Sequence, residues 1–242
     1  MKAWRVHAWG EPEQMSFDDL EAAAHEVLSE EAYGYVAGSA GSESTARANR
    51  AAFDRWRILP RMLRGVATRD HSTSVLGTAM PAPLMLAPVG VQGIVHPDAE
   101  LAVARAASSL GIPFCLSTVS SYSLEQVAEA AGDGPRWFQL YWPKDVNVRR
   151  SLLKRAEAAG YSAIVVTLDT MMLAWRPRDL RTGYLPFLQQ QGLAIRLRER
   201  GQGLAHVETQ RRVGRGAAPV ALLARHQPDA RQHASDGDRR ER

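Results

Sequence analysis

Ala163-Ile-Val-Val-Thr-Leu168 is an unbroken run of apolar and β-branched residues. Such a run is the pattern of a strand covered on both faces, as in a parallel sheet. It leads directly into Asp169, and Arg176 follows seven residues later. Similar apolar runs stand upstream at Trp137–Tyr141, Pro113–Leu116 and Leu84–Ala87. Between them lie helical patterns over Ala99–Leu110, Ser123–Ala131 and Val146–Ala159. Strands alternating with helices at this spacing mean βαβ units, in either a (β/α)8 barrel or a doubly wound sheet. The turn after the first strand, Ala87-Pro-Val-Gly-Val-Gln-Gly93, lacks the G-x-G-x-x-G fingerprint of a dinucleotide-binding sheet. That tilts the α/β reading toward a TIM (β/α)8-type barrel, of which about four βα units are legible. Four units do not close such a barrel, so the first and fourth strands are expected to present open edges, a site for aggregation or pairing.

Upstream, the signals are helical. Ser16 followed by Asp19 has the form of a capping box, and Phe17, Leu20, Ala24 and Leu28 repeat at helical spacing. A second short helix is expected through Tyr33, Tyr35 and Val36 to a break at Gly38. A third is expected from Glu43 to about Trp56, with Ala48, Ala52 and Phe53 turned inward. The chain thus divides into a lead segment over residues 1–15, a body over 16–194 and a tail over 195–242.

The composition is that of a globular chain, with 45% apolar and 23% charged residues. No apolar run approaches the ~18 residues of a membrane span, and the first residues carry no basic-then-apolar leader, so a cytoplasmic protein without a membrane partner is expected. The one cysteine, Cys115, lies inside an apolar run and reads as a buried, inert thiol. The net charge of +4 belongs to the tail: from Ile195 onward there are eleven Arg, no Lys and six acids, while the first 194 residues sum to −1. The tail is rich in Arg, Gln, Gly and Ala, with one apolar tract at Ala217–Ala224. It reads as a low-order segment, arising from a frame shift, a truncation or a genuine basic extension. Lacking aromatic residues to stack bases, it argues against a nucleic-acid partner.

Both α/β architectures place function on the loops at the C-terminal ends of the strands. There the first strand yields Pro88, Val89, Gly90 and Gln92, and the second yields Ser117 and Thr118. The third holds Gln139 and Tyr141, and the fourth leads to Thr167, Asp169 and Arg176. Any one of these serves equally well as a strand-end cap. Four successive strands delivering hydrogen-bonding groups to one rim suit a large, flat heteroaromatic cofactor. No His, Cys and acid cluster has metal-ligand spacing in this region.

Six motifs then carry a resemblance: A-Y-G-Y-V-A-G-S-A-G, N-R-A-A-F-D-R-W-R-I-L-P-R-M-L, P-L-M-L-A-P-V-G-V-Q, L-S-T-V-S-S-Y-S-L-E, W-F-Q-L-Y-W-P-K-D and V-V-T-L-D-T. From about Ser16 to Ala194 the chain resembles the FMN-dependent α-hydroxy-acid oxidising enzymes, among them glycolate oxidase, lactate oxidase, mandelate dehydrogenase and lactate 2-monooxygenase. W-R-P-R-D-L, Y-L-P-F-L and the glycine after A-P-V are closest to the lactate 2-monooxygenase group. The short segment Met1–Glu13 separately resembles the opening strand of zinc-type medium-chain alcohol dehydrogenases and quinone reductases.

The resemblance implies FMN as cofactor, a small 2-hydroxy acid as substrate, oxygen as a possible co-substrate and a homo-oligomeric intact protein. It also implies roles for individual residues. Tyr35 and Arg176 would hold the substrate carboxylate, and Tyr141 would steady charge on the substrate oxygen. Val89 and Gly90 would meet the flavin through backbone groups, with Ser117, Gln139 and Thr167 as further flavin contacts. Asp169 would support the catalytic histidine. The chemistry is consistent with these roles: a base must take the hydroxyl proton, a carboxylate stabilises the imidazolium formed, and arginine grips a carboxylate in bidentate fashion. The histidine-bearing S-N-H-G-G-R-Q segment is missing from this sequence, as are the later flavin lysine and the phosphate-binding D-G-G and G-R segments. His206, His226 and His233 lack that motif, so the chain alone is expected to be inactive.

Overall fold

A computed structural model of the chain describes residues 17–65, 67–170, 172, 174–189, 191–197 and 221–223. Three helices lead: α1 (Phe17–Val27), α2 (Glu30–Ala37) and α3 (Ser44–Ala52). Ser29 caps α2 by accepting the N–H of Ala32, and Gly38 ends it, as the sequence suggests. Ser16, the expected cap of α1, lies outside the described residues. The third helix stops at Ala52 and tightens into a 3-10 turn over Phe53–Arg55. Of the three residues expected inward, Ala48 and Phe53 are exposed, Phe53 by 80%, and Ala52 is half-buried.

A hairpin that the sequence reading missed comes next: β1 (Thr73–Val75) pairs antiparallel with β2 (Thr78–Met80). Its two-residue turn, Leu76-Gly77, has both φ angles positive (49° and 73°), the conformation that matches the twist of a tight hairpin. A leucine is an unusual occupant of that conformation. Its side chain packs against the sheet described next, alongside Met85.

The body is the expected βαβ series. Strands β3 (Phe114–Leu116), β4 (Arg136–Tyr141) and β5 (Ile164–Thr167) run parallel, in sequential order. α4 (Ala99–Ser109) precedes β3, α5 (Leu124–Ala131) and α6 (Val146–Ala158) lie between the strands, and α7 (Pro177–Thr182) and α8 (Ala194–Leu197) follow β5. Local chemistry sets these boundaries. Ser123 and Gln126 form a reciprocal capping box on α5, and Asp145 caps α6 through the N–H groups of Asn147 and Val148.

Two expectations about edges change. The run Leu84–Ala87 forms only one parallel bridge, Leu86 to Phe114. Pro83 and Pro88 bracket it, and proline supplies no N–H to a ladder. The outer edge of β5 is occupied by β6 (Ala221–Leu223), which pairs antiparallel with it.

Alternation along β3–β5 divides the sheet's side chains between two faces. Phe114, Leu116, Phe138 and Leu140 point toward the helices, where Ala104, Leu124, Val127, Leu152 and Ala156 complete a closed core. Each such large side chain contributes roughly 1.5–3 kcal/mol through burial. Cys115, Trp137, Ala163 and Val165 form a smaller apolar cluster on the opposite, inner face. Burial pushes the Cys115 thiol up to about 12, so it is inert as expected. The Trp137 indole N–H donates to Thr78 Oγ1 at 3.0 Å and ties the hairpin to this face.

Candidate active site

Each strand carries the inner-face alternation one step further, from apolar to polar. Past Cys115 comes Ser117, past Trp137 come Gln139 and Tyr141, and past Val165 comes Thr167. The ladder registers Cys115 with Trp137, Gln139 with Val165 and Tyr141 with Thr167, so these polar residues gather at one end of one face. The residues that the sequence singles out on three strands therefore meet.

Gln139 is the hub. Its Oε1 accepts from Ser117 Oγ (3.3 Å) and the Thr118 N–H (3.1 Å), and its Nε2 donates to Thr167 Oγ1 (2.8 Å). Ser117 and Gln139 are each only 2% exposed. A buried side-chain amide costs stability unless its donors and acceptor are used, and here both ends are. Thr118, fully buried, binds the rim from behind: its hydroxyl donates to the Gln139 carbonyl and accepts the Tyr141 N–H at 3.0 Å.

The first loop lies directly against this group. The Val91 N–H donates to the Val119 carbonyl at 2.9 Å. A Cβ on Gly90 would stand 2.3 Å from Val119 Cγ2 and 3.1 Å from Ser117 Oγ, so only glycine lets the loops approach this closely. Val89 is exposed at the rim, and its carbonyl accepts from Gln92 Nε2.

A second group gathers at α7. Arg176 stands immediately before that helix, with its guanidinium 5.0 Å from the centre of the Tyr35 ring. One guanidinium nitrogen donates to the Tyr35 carbonyl, and Nε donates to Oδ2 of Asp179. Asp179 is buried, and sequence reasoning did not single it out; an acid three residues into a Pro-started helix reads as an ordinary first-turn residue. Tyr35 also meets Tyr184 and Phe187 edge-on, with centroids 6.4 Å apart in both cases. Burial raises its hydroxyl pKa, partly offset by Arg176. The ring and the cation proposed to share one ligand thus share one locus.

Asp169 is exposed two residues beyond Thr167, and among the described residues no histidine bonds to it. His206, His226 and His233 lie outside the described residues. A cleft of about 510 Å³ opens between α2, the Gly93–Ile94 turn and the end of α7. It contains none of the sequence-selected residues, although Tyr184 borders it. The inner-face rim, where hydrogen-bonding groups converge, therefore defines the site better than cavity size does.

A parallel βα sheet with its polar groups collected at the strand ends is the class of architecture used by TIM-barrel flavoenzymes. The model of the FMN-dependent dehydrogenase family matches residues 24–235, and the chain belongs to that family of oxidoreductases, whose cofactor is FMN. It is 50% identical over 168 residues to the FMN-dependent alpha-hydroxy acid dehydrogenase qulF of Penicillium citrinum, covering 69% of this chain and 42% of that protein. It is 46% identical to an L-lactate oxidase of Lysinibacillus sphaericus, covering 72% of this chain and 45% of the relative. Among solved structures, a mandelate oxidase aligns with a TM-score of 0.65 at 43% identity, over 70% of this chain and 51% of that one. The chain spans about half the length of the curated relatives it matches. Among the described residues, no helix is long and apolar enough to cross a membrane.

Proposed function

We propose that this chain contributes the flavin-ring and substrate-carboxylate half of a barrel that oxidises a small, lactate-like 2-hydroxy acid. The observation that carries the reading is the hydrogen-bonded set Ser117–Gln139–Thr167 on the inner-face rim. Amide and hydroxyl groups of this kind fit the ring nitrogens and carbonyls of FMN, and the Val89–Gly90 backbone beside them adds further polar groups. FMN, when bound, supplies the acceptor for the hydride equivalent.

The chain's own residues divide the remaining work. Arg176 and Tyr35 hold the substrate carboxylate, with Asp179 fixing the arginine's direction. Tyr141 stands at the end of β4, near enough to Tyr35 to act on it electrostatically, and steadies charge on the substrate oxygen. Asp169 is left to support a histidine base that this sequence does not supply in its family motif. The chain alone is therefore inactive in this reading. W-R-P-R-D-L and Y-L-P-F-L support a lactate 2-monooxygenase-like intact enzyme; the family resemblance adds oxygen as a possible co-substrate and a homo-oligomer, and the composition a cytoplasmic location.

A second reading has its own observation. Phe53, Trp56, Ile58, Leu59, Met62 and Leu63 form a run exposed by 76–102%. An apolar stretch of that kind marks an interaction surface. In this reading the chain is a non-catalytic half-barrel that pairs with another chain carrying the second half.

The test is to titrate the purified chain with FMN by flavin fluorescence, then add L-lactate and follow the visible flavin band. Saturable quenching that Gln139→Leu weakens, with no bleaching by lactate, is the expected result. Equal quenching by both proteins would remove the rim from the flavin site. Normal bleaching would overturn the inactivity. Sedimentation of the chain mixed with a chain carrying the second half separates the second reading, which predicts a complex that forms with or without FMN.

A further inference from the structure

Glu100 occupies the first turn of α4 and has no exposed surface. Acids in a first turn ordinarily face water and complement the helix dipole. This one instead turns inside, where its Oε1 accepts two backbone N–H groups, Gln92 at 3.3 Å and Ser121 at 3.0 Å. Gln92 lies in the loop that carries Val89 and Gly90; Ser121 lies in the loop that carries Ser117. The same two loops are tied by Gly93 N–H to Ser121 Oγ (2.8 Å) and Val91 N–H to the Val119 carbonyl (2.9 Å). Glu100 Oε2 is buried and has no hydrogen-bond partner among the described residues.

We infer that Glu100 is the positioning residue of the rim, a carboxylate clamp that holds the Val89–Gly93 loop against the Ser117–Ser121 loop. One side-chain oxygen that receives an amide from each loop holds both loops to a single point. Glutamine would keep an acceptor for both amides, but it would bring N–H donors to where Oε2 finds no partner. With the clamp closed, the backbone of Val89 and Gly90 is fixed relative to Ser117 and, through it, Gln139. What the clamp serves rests on the flavin reading above; the clamp itself does not.

The test uses the full chain, comparing wild type with Glu100→Ala and Glu100→Gln. Amide hydrogen exchange is read at Gln92 and Ser121, with the Phe138 amide, bonded to the Ala163 carbonyl in the sheet, as the internal standard. Glu100→Ala is expected to speed exchange at both rim amides by about tenfold or more while leaving Phe138 unchanged, the loss of two hydrogen bonds. Glu100→Gln is expected to fall between. FMN affinity, read by fluorescence titration, should drop in the same order. Unchanged rim amides, or acceleration spread equally to Phe138, would overturn the clamp. If the alanine variant does not fold, the glutamine variant decides by the same two signatures. A wild-type chain that takes up no FMN would sink the flavin reading, while the exchange data would still decide the clamp.

Discussion

The two faces of β3–β5 are built from the same short strands and behave as opposites. Toward the helices, Phe114, Leu116, Phe138 and Leu140 are apolar along the whole length and closed off by α4, α5 and α6. On the inner face the residues change character halfway. Cys115, Trp137, Ala163 and Val165 pack beneath the hairpin, and beyond them Ser117, Gln139 and Thr167 bond to one another. One face stabilises the fold, while the other divides its length between packing and polar chemistry. Side-chain alternation lets both jobs share one backbone.

Substitutions on each face would sharpen or break that division. The largest expected effect is on the helix-facing side, where Phe138→Ala should destabilise the chain by about 3–5 kcal/mol in urea denaturation through loss of packing and cavity formation. Gly90→Ala comes next, because its new methyl must displace Val119; a loss of about 1–3 kcal/mol is expected, together with weaker FMN quenching. Trp137→Phe keeps most of the inner-face packing but removes the donor to Thr78, which should cost roughly 1–1.5 kcal/mol. If Trp137→Phe proved as damaging as Phe138→Ala, the inner face would be a full core and the contrast would fail.

The smallest effect is electrostatic and lies on the helix-facing side. The Arg155 guanidinium bonds Glu125 through two nitrogens and holds its carboxyl at about 2, and the same arginine donates to the Ile195 carbonyl. A depressed carboxyl contributes stability above its unfolded value of about 4.3, and that contribution is lost as pH falls toward 2. Solvent reaches the pair, so the loss should be no more than about 1 kcal/mol. Comparing wild type with Glu125→Gln in acid titrations would check it; parallel curves between pH 5 and 2 would show that the pair contributes nothing.

The sequence reading reproduced α4–α6 and β3–β5 to within a few residues because their signals are local. Ser123 and Asp145 announce helix starts, and the apolar runs end where polar rim residues begin. The hairpin escaped because its strands are three residues long, β1 is exposed throughout, and its turn has Leu76 where asparagine or aspartate is expected. The exposure of Phe53 and Ala48 was misjudged because helical periodicity names a face without supplying what covers it. In the candidate site, Ser117, Gln139, Thr167, Tyr35 and Arg176 were expected from strand ends and family motifs. Asp179 and Glu100 were not, since an acid in a first helical turn looks the same on paper whether it faces water or a neighbouring loop.

The contact between Gly90 and Val119 has a consequence for how this rim can change over generations. The two positions share one small volume, so the effect of a methyl at 90 depends on what already stands at 119. Shrinking Val119 first removes the 2.3 Å clash and leaves a methyl at 90 against Ser117 Oγ at 3.1 Å and the Val119 carbonyl at 3.2 Å; the reverse order meets all three at once. The two positions are therefore coupled: what position 90 tolerates depends on the side chain at position 119.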